Sequence, residues 1–108
     1  MDPHRLAEER SVAYHGVIAS RLREQPEILE AAQRRVQGWL ASGEMAPASS
    51  ARWAAVLACG LSSIEAFLVE RSEVADELRQ SSPFAGALGP RERWRIWRAT
   101  RDRVSLQP

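Results

Sequence analysis

Pro26-Glu27-Ile28-Leu29-Glu30-Ala31-Ala32-Gln33-Arg34-Arg35-Val36-Gln37-Gly38-Trp39-Leu40-Ala41-Ser42-Gly43 decides the fold class. Ile28, Ala32, Val36 and Trp39 recur at three- and four-residue intervals, with Leu29 and Leu40 beside them. Glu30, Gln33, Arg34 and Gln37 fall on the other side. That spacing is the signature of an amphipathic helix and has none of the two-residue alternation of a strand. Pro26 suits the first helical turn, Glu27 and Glu30 sit near the positive end of the helix dipole, and Gly43 is a natural C-terminal stop.

The same reading extends in both directions. Upstream, Asp2-Pro3 is a helix-start signal, and Leu6, Ala13 and Val17, widened by Tyr14, Ile18 and Leu22, form an apolar face. That helix ends near Glu24 or Gln25, because the residue before Pro26 is pushed out of helical geometry. Downstream, Glu44–Ser50 is a loop, and a third helix carries Trp53, Val56 and Leu57. Cys59-Gly60 interrupts it, and Ser62 with Glu65 reads as a capping box that restarts a helix holding Ile64, Phe67 and Leu68. Ser72 caps a short helix over 73–80, with Val74 and Leu78 as its apolar pair. Ser81–Gly89 is a second loop, and Pro90 opens a last helix running to about Val104. The expectation is an all-α bundle of about five helices, with residues 1–104 as a single helical domain and 105–108 as a frayed tail.

Length and composition agree. A chain of 108 residues, 44% hydrophobic and 27% charged, suits one globular domain that buries roughly 65% of its unfolded surface. Met1–Arg10 is mostly charged with no apolar stretch behind it, and no run approaches the ~20 residues of a membrane span. The expected location is therefore the cytoplasm, with no membrane partner. One cysteine excludes an internal disulfide framework.

The residues offer little for catalysis. No phosphate-binding glycine loop, nucleophile elbow or dinucleotide fingerprint is present. His4 and Glu8 lie one helical turn apart, but His15, eleven residues on, faces elsewhere, so both histidines read as surface residues and no metal set forms. Cys59, in an Ala-Cys-Gly-Leu setting, reads as a buried structural thiol. No catalytic, cofactor-binding or metal-binding residue is assigned, and the chain is expected not to be an enzyme.

Charge is more informative. All fifteen basic residues are arginine and fourteen residues are acidic, giving a net charge of +1. The missing lysine and asparagine fit a GC-rich gene, whose codons disfavour both. Six arginines (91, 93, 95, 98, 101, 103) stand against Glu92 and Asp102 in the last helix, and the preceding ninety residues are net acidic. Around that helix Arg91, Arg95 and Arg98 share one stripe, and Trp94, Trp97 and Val104 an adjacent one, with Arg98 a turn after Trp94 and able to stack on it. The tryptophans can hold the helix to the core or join the arginines in an interface, where Trp and Arg are favoured. Phe84 and Leu88, large apolar residues on a nominal loop, must dock either on this domain or on a partner.

A set of strings carries a resemblance: Leu22-Arg23-Glu24-Gln25-Pro26 with Val36-Gln37-Gly38-Trp39; Ala51-Arg52-Trp53-Ala54-Ala55-Val56-Leu57; and Leu78-Arg79-Gln80-Ser81-Ser82-Pro83-Phe84-Ala85-Gly86-Ala87-Leu88 leading into Arg91-Glu92-Arg93-Trp94-Arg95-Ile96-Trp97-Arg98. Over roughly Val17–Arg98 the chain resembles the short helical antitoxins of bacteria, common in actinobacteria, encoded beside the toxins of type II toxin–antitoxin pairs. The resemblance implies neutralisation by direct binding of a cognate toxin, either nucleotidyltransferase-like of the abortive-infection type or ribonuclease-like, by occlusion of its nucleotide or substrate site. The implied contact residues are Ser82, Pro83, Phe84, Leu88, Arg91, Trp94, Arg95, Trp97 and Arg98. The alternative is a small helical DNA-binding or regulatory protein using the same basic helix, although no separable DNA-binding module is visible. The amphipathic second helix would also allow a homodimer.

Overall fold

The computed structural model describes residues 2–106 and is built from helices alone, with no strand among the described residues. The helices are α1 (Pro3–Arg21), α2 (Pro26–Ser42), α3 (Pro47–Leu57), α4 (Leu61–Leu68), α5 (Glu73–Arg79) and α6 (Pro90–Ser105). The all-α expectation is met, with six helices among the described residues rather than about five, because the break at Cys59-Gly60 fully separates α3 from α4. Ser105 closes α6 and Leu106 caps it, where a frayed tail was expected; the last two positions of that tail, 107–108, lie outside the described residues.

Local chemistry explains most of the boundaries. Asp2 accepts a hydrogen bond from the His4 N–H at 3.0 Å, and Pro3 occupies the first turn of α1. Pro26, Pro47 and Pro90 open α2, α3 and α6 in the same way. Gly43, at φ 75°, takes the left-handed position that ends α2 and donates its N–H to the Trp39 carbonyl. The Ser72 hydroxyl accepts from the Ala75 N–H, as expected for the cap of α5. Ser62 is not a cap: α4 starts at Leu61 after Gly60, and the Ser62 hydroxyl instead accepts from Arg23. The loop after α2 is also shorter than expected, because Pro47 draws its second half into α3.

α1 is the central post, packing against α6, α4 and α5, while α2 pairs with α3 and α3 with α4. Tyr14, Ile18 and Ala19 of α1 and Leu22 at its C-cap meet Ala32 and Val36, Trp53 and Leu57, Ile64 and Leu68, and Leu78 in one cluster. Ala13 is only half-buried, so the inward face of α1 is turned slightly from the expected one, onto Tyr14 and His15. In α5 it is Ala75 that joins Leu78 inside, and Val74 points outward. Phe84 and Leu88 belong to the same core cluster, so the loop after α5 is a packed strap.

Candidate functional site

The strap over residues 80–89 is fastened by a chain of hydrogen bonds. Tyr14 donates its hydroxyl to the Phe84 carbonyl at 2.7 Å. His15 Nδ1 lies 2.7 Å from the Ser11 carbonyl, which can only accept, so Nδ1 carries the proton. The neutral ring then accepts at Nε2 from the Ser82 hydroxyl, also at 2.7 Å, and Ser82 Oγ accepts from the Phe84 N–H. Burial pushes the His15 pKa down to about 4, opposed by the bond to Ser11. On the far side Arg35 donates to the Pro83 and Ala85 carbonyls, and Trp53 donates its indole N–H to Leu78. Gly86, at φ 84°, supplies the left-handed residue that turns the strap.

Four of the expected partner-binding positions are engaged within this domain. Phe84 is 1% exposed, Pro83 and Leu88 are buried, and Ser82 spends its hydroxyl inside the domain. The alternative left open for Phe84 and Leu88 resolves toward this domain's own core. His15 is likewise buried, where a surface residue was expected, because it stands on the same face of α1 as Tyr14 and Ile18. Cys59 is exposed instead of buried, on the turn between α3 and α4. His4 and Glu8 pair at 2.9 Å, and among the described residues no group of three or more His, Cys, Asp or Glu could hold a metal.

The remaining expected positions lie on α6, and here the two tryptophans part. Ile96, Trp97, Thr100 and Val104 turn toward the body, chiefly toward α1. Trp94 stands on the other side and is 55% exposed. Arg91, Trp94, Arg95 and Arg98, spaced i, i+3, i+4, i+7, share one outward face, and none of the three arginines makes an ion pair among the described residues. The expected stacking of Arg98 on Trp94 is replaced by another: the guanidinium carbons of Arg10 and Arg93 lie 5.8 and 5.6 Å from the Trp97 ring centre. α6 is held by Arg21, which grips Glu92 with both terminal nitrogens, and by Arg103, 3.6 Å from Glu9. Glu9 also takes two hydrogen bonds from Arg71, which hold its carboxyl below the usual range.

Beneath the strap, between α1 and α6, is a cleft of about 400 Å³. Arg10, His15, Arg79, Ser82, Arg93 and Trp97 are among the residues that line it, and none of the lining residues is acidic. Arg79 is 4% exposed, paired with Asp76 and bonded to the Leu68 carbonyl, yet its Nε has no hydrogen-bond partner among the described residues. The Arg10 Nε is also buried and without a hydrogen-bond partner among the described residues. The sequence reading missed this cleft because its residues come from positions 7–15, 79–86 and 93–97, which come together only when α6 and the strap both pack on α1. The one local signal was Asp76 three residues before Arg79, a pairing that lets a charged residue be buried. Comparison with protein-family models, with curated proteins and with solved structures finds no match for this chain.

Proposed function

We propose that this chain is an antitoxin that neutralises a cognate protein toxin by direct binding through α6, covering the toxin's nucleotide or substrate site. One observation carries the reading: a large indole, Trp94, stands exposed among Arg91, Arg95 and Arg98, three guanidinium groups that make no ion pair among the described residues. An exposed tryptophan ringed by arginines is the composition of an interface hot spot, and arginines without ion-pair partners favour an acidic surface. A nucleotide-handling toxin, with carboxylates for its metal ions, presents such a surface. The contact set narrows from the sequence-based list to Arg91, Trp94, Arg95 and Arg98, with Trp97 at its edge. The body contributes rigidity, since α6 is fixed to α1 before any partner arrives and little ordering entropy is lost on binding.

Co-expression with the product of the adjacent gene tests the reading. The wild-type chain should relieve that product's toxicity, and Arg95→Glu with Arg98→Glu should abolish the relief while helix content stays intact. The complex, anchored by Trp94, should persist at moderate salt, whereas binding to DNA through the same arginines would fall steeply. Protection by the double variant, or a neighbouring product without toxicity, overturns the antitoxin reading; steeply salt-dependent binding to DNA favours the regulatory one.

A further inference from the structure

The α1–α6 cleft is separate from the outward face of α6 and makes its own chemical demand. Arg10 and Arg93 both turn their guanidinium groups onto Trp97, and neither makes an ion pair among the described residues. Arg79, deeper in, is neutralised by Asp76 and bonded to the Leu68 carbonyl, so it adds no free charge to the cleft. Two uncompensated positive charges thus share a concavity whose lining is free of acidic side chains. Such a place repels cations and attracts a ligand with matching negative charge.

We propose that this cleft binds a small phosphate monoester of mononucleotide size. A monoester carries close to two negative charges at neutral pH, enough for both free guanidinium groups, whereas a lone carboxylate would leave one unmatched. Arginine forks also suit phosphate oxygens through paired N–H donors. The about 400 Å³ of space lies within the range of small-molecule sites and exceeds what a bare phosphate needs. Trp97, Tyr14 and Ala85 give the organic part an apolar wall. The strap is fixed from beneath by Tyr14 and His15, so the cleft is formed before a ligand enters. This inference does not depend on the antitoxin reading, because Arg10 and Arg93, whose charges it rests on, stand apart from Arg91, Trp94, Arg95 and Arg98; Trp97 alone borders both.

Calorimetric titration of the full chain with AMP, adenosine and inorganic phosphate tests it, with the Trp97 indole N–H resonance as a local reporter. AMP should bind and shift that resonance, adenosine should not bind, and inorganic phosphate should bind more weakly than AMP. Arg10→Gln with Arg93→Gln should weaken AMP by at least about tenfold, with the circular dichroism spectrum unchanged. Arg93→Gln alone, which leaves the whole of α1 untouched, serves if the double variant folds poorly. No binding of AMP at millimolar concentration, equal binding of AMP and inorganic phosphate, or unchanged affinity in the variants overturns the proposal.

Discussion

Phe84 is the residue at which the strap becomes part of the fold. Its ring packs within 6.2 Å, centre to centre, of Trp53 and 6.4 Å of His15, edge to face in both cases. Its own N–H and carbonyl are both used, by Ser82 and Tyr14. Removing the ring leaves a cavity that these neighbours, fixed by their own hydrogen bonds, cannot fill. Phe84→Ala should therefore destabilise the isolated chain by about 3–5 kcal/mol, read as a lower midpoint in urea unfolding. A surface anchor would lose partner affinity with stability intact, so an unchanged midpoint would return Phe84 to the interface. The sequence posed this choice correctly and could not make it. A large apolar residue on a loop must dock, but hydrophobicity does not say on what. What decides is a set of bonds to positions 14, 15 and 35, distant in sequence and without local pattern.

At the scale of elements, periodicity and caps carried well. The stripe Ile28, Ala32, Val36 and Trp39 and the stop at Gly43 gave α2 its face and its end, and Asp2-Pro3 and Pro90 gave α1 and α6 their starts. Capping misled at α4, where Ser62 and Glu65 have the right spacing but serve Arg23 of the α1–α2 turn. The two serines make a matched pair of variants. Ser72→Ala removes an acceptor for an orphan N–H of α5 and should lower stability by about 1 kcal/mol. Ser62→Ala removes only an exposed side-chain contact at 3.1 Å and should fall within about 0.5 kcal/mol of wild type. Equal losses in urea unfolding would restore the capping box. The tryptophan stripe of α6 failed for a different reason. Trp94 and Trp97 are three residues apart, about 60° around the helix, and that is enough for one to lie against the body and the other outside it. Sequence spacing placed both on one side because it cannot locate the edge of a contact with α1.

For the whole molecule, the centre is unusual in carrying a histidine whose charged form it cannot accommodate. His15 is buried beside Arg79, and its pKa of about 4, against an ordinary 6.5, means the folded chain holds it neutral. The unfolded chain therefore binds the extra proton first as pH falls. Stability from this residue is complete above about pH 6.5, declines through the interval down to about pH 4, and is then constant, a total of about 3 kcal/mol. The carboxylates held below their usual range, Glu9 by Arg71 and Glu92 by Arg21, act in the same direction but only as pH drops below their unfolded value of 4.5. The two effects thus fall in separate windows, and the loss between pH 7 and pH 5 belongs to His15. Urea midpoints measured across that interval should fall by the equivalent of about 2 kcal/mol. His15→Gln keeps a polar side chain beside Ser11 and Ser82 but cannot titrate. Its midpoint should start lower and stay level over the same interval. A variant as pH-sensitive as the wild type would show that His15 is not the group that ties the strap, and with it the floor of the arginine-lined cleft, to the neutral side of the scale.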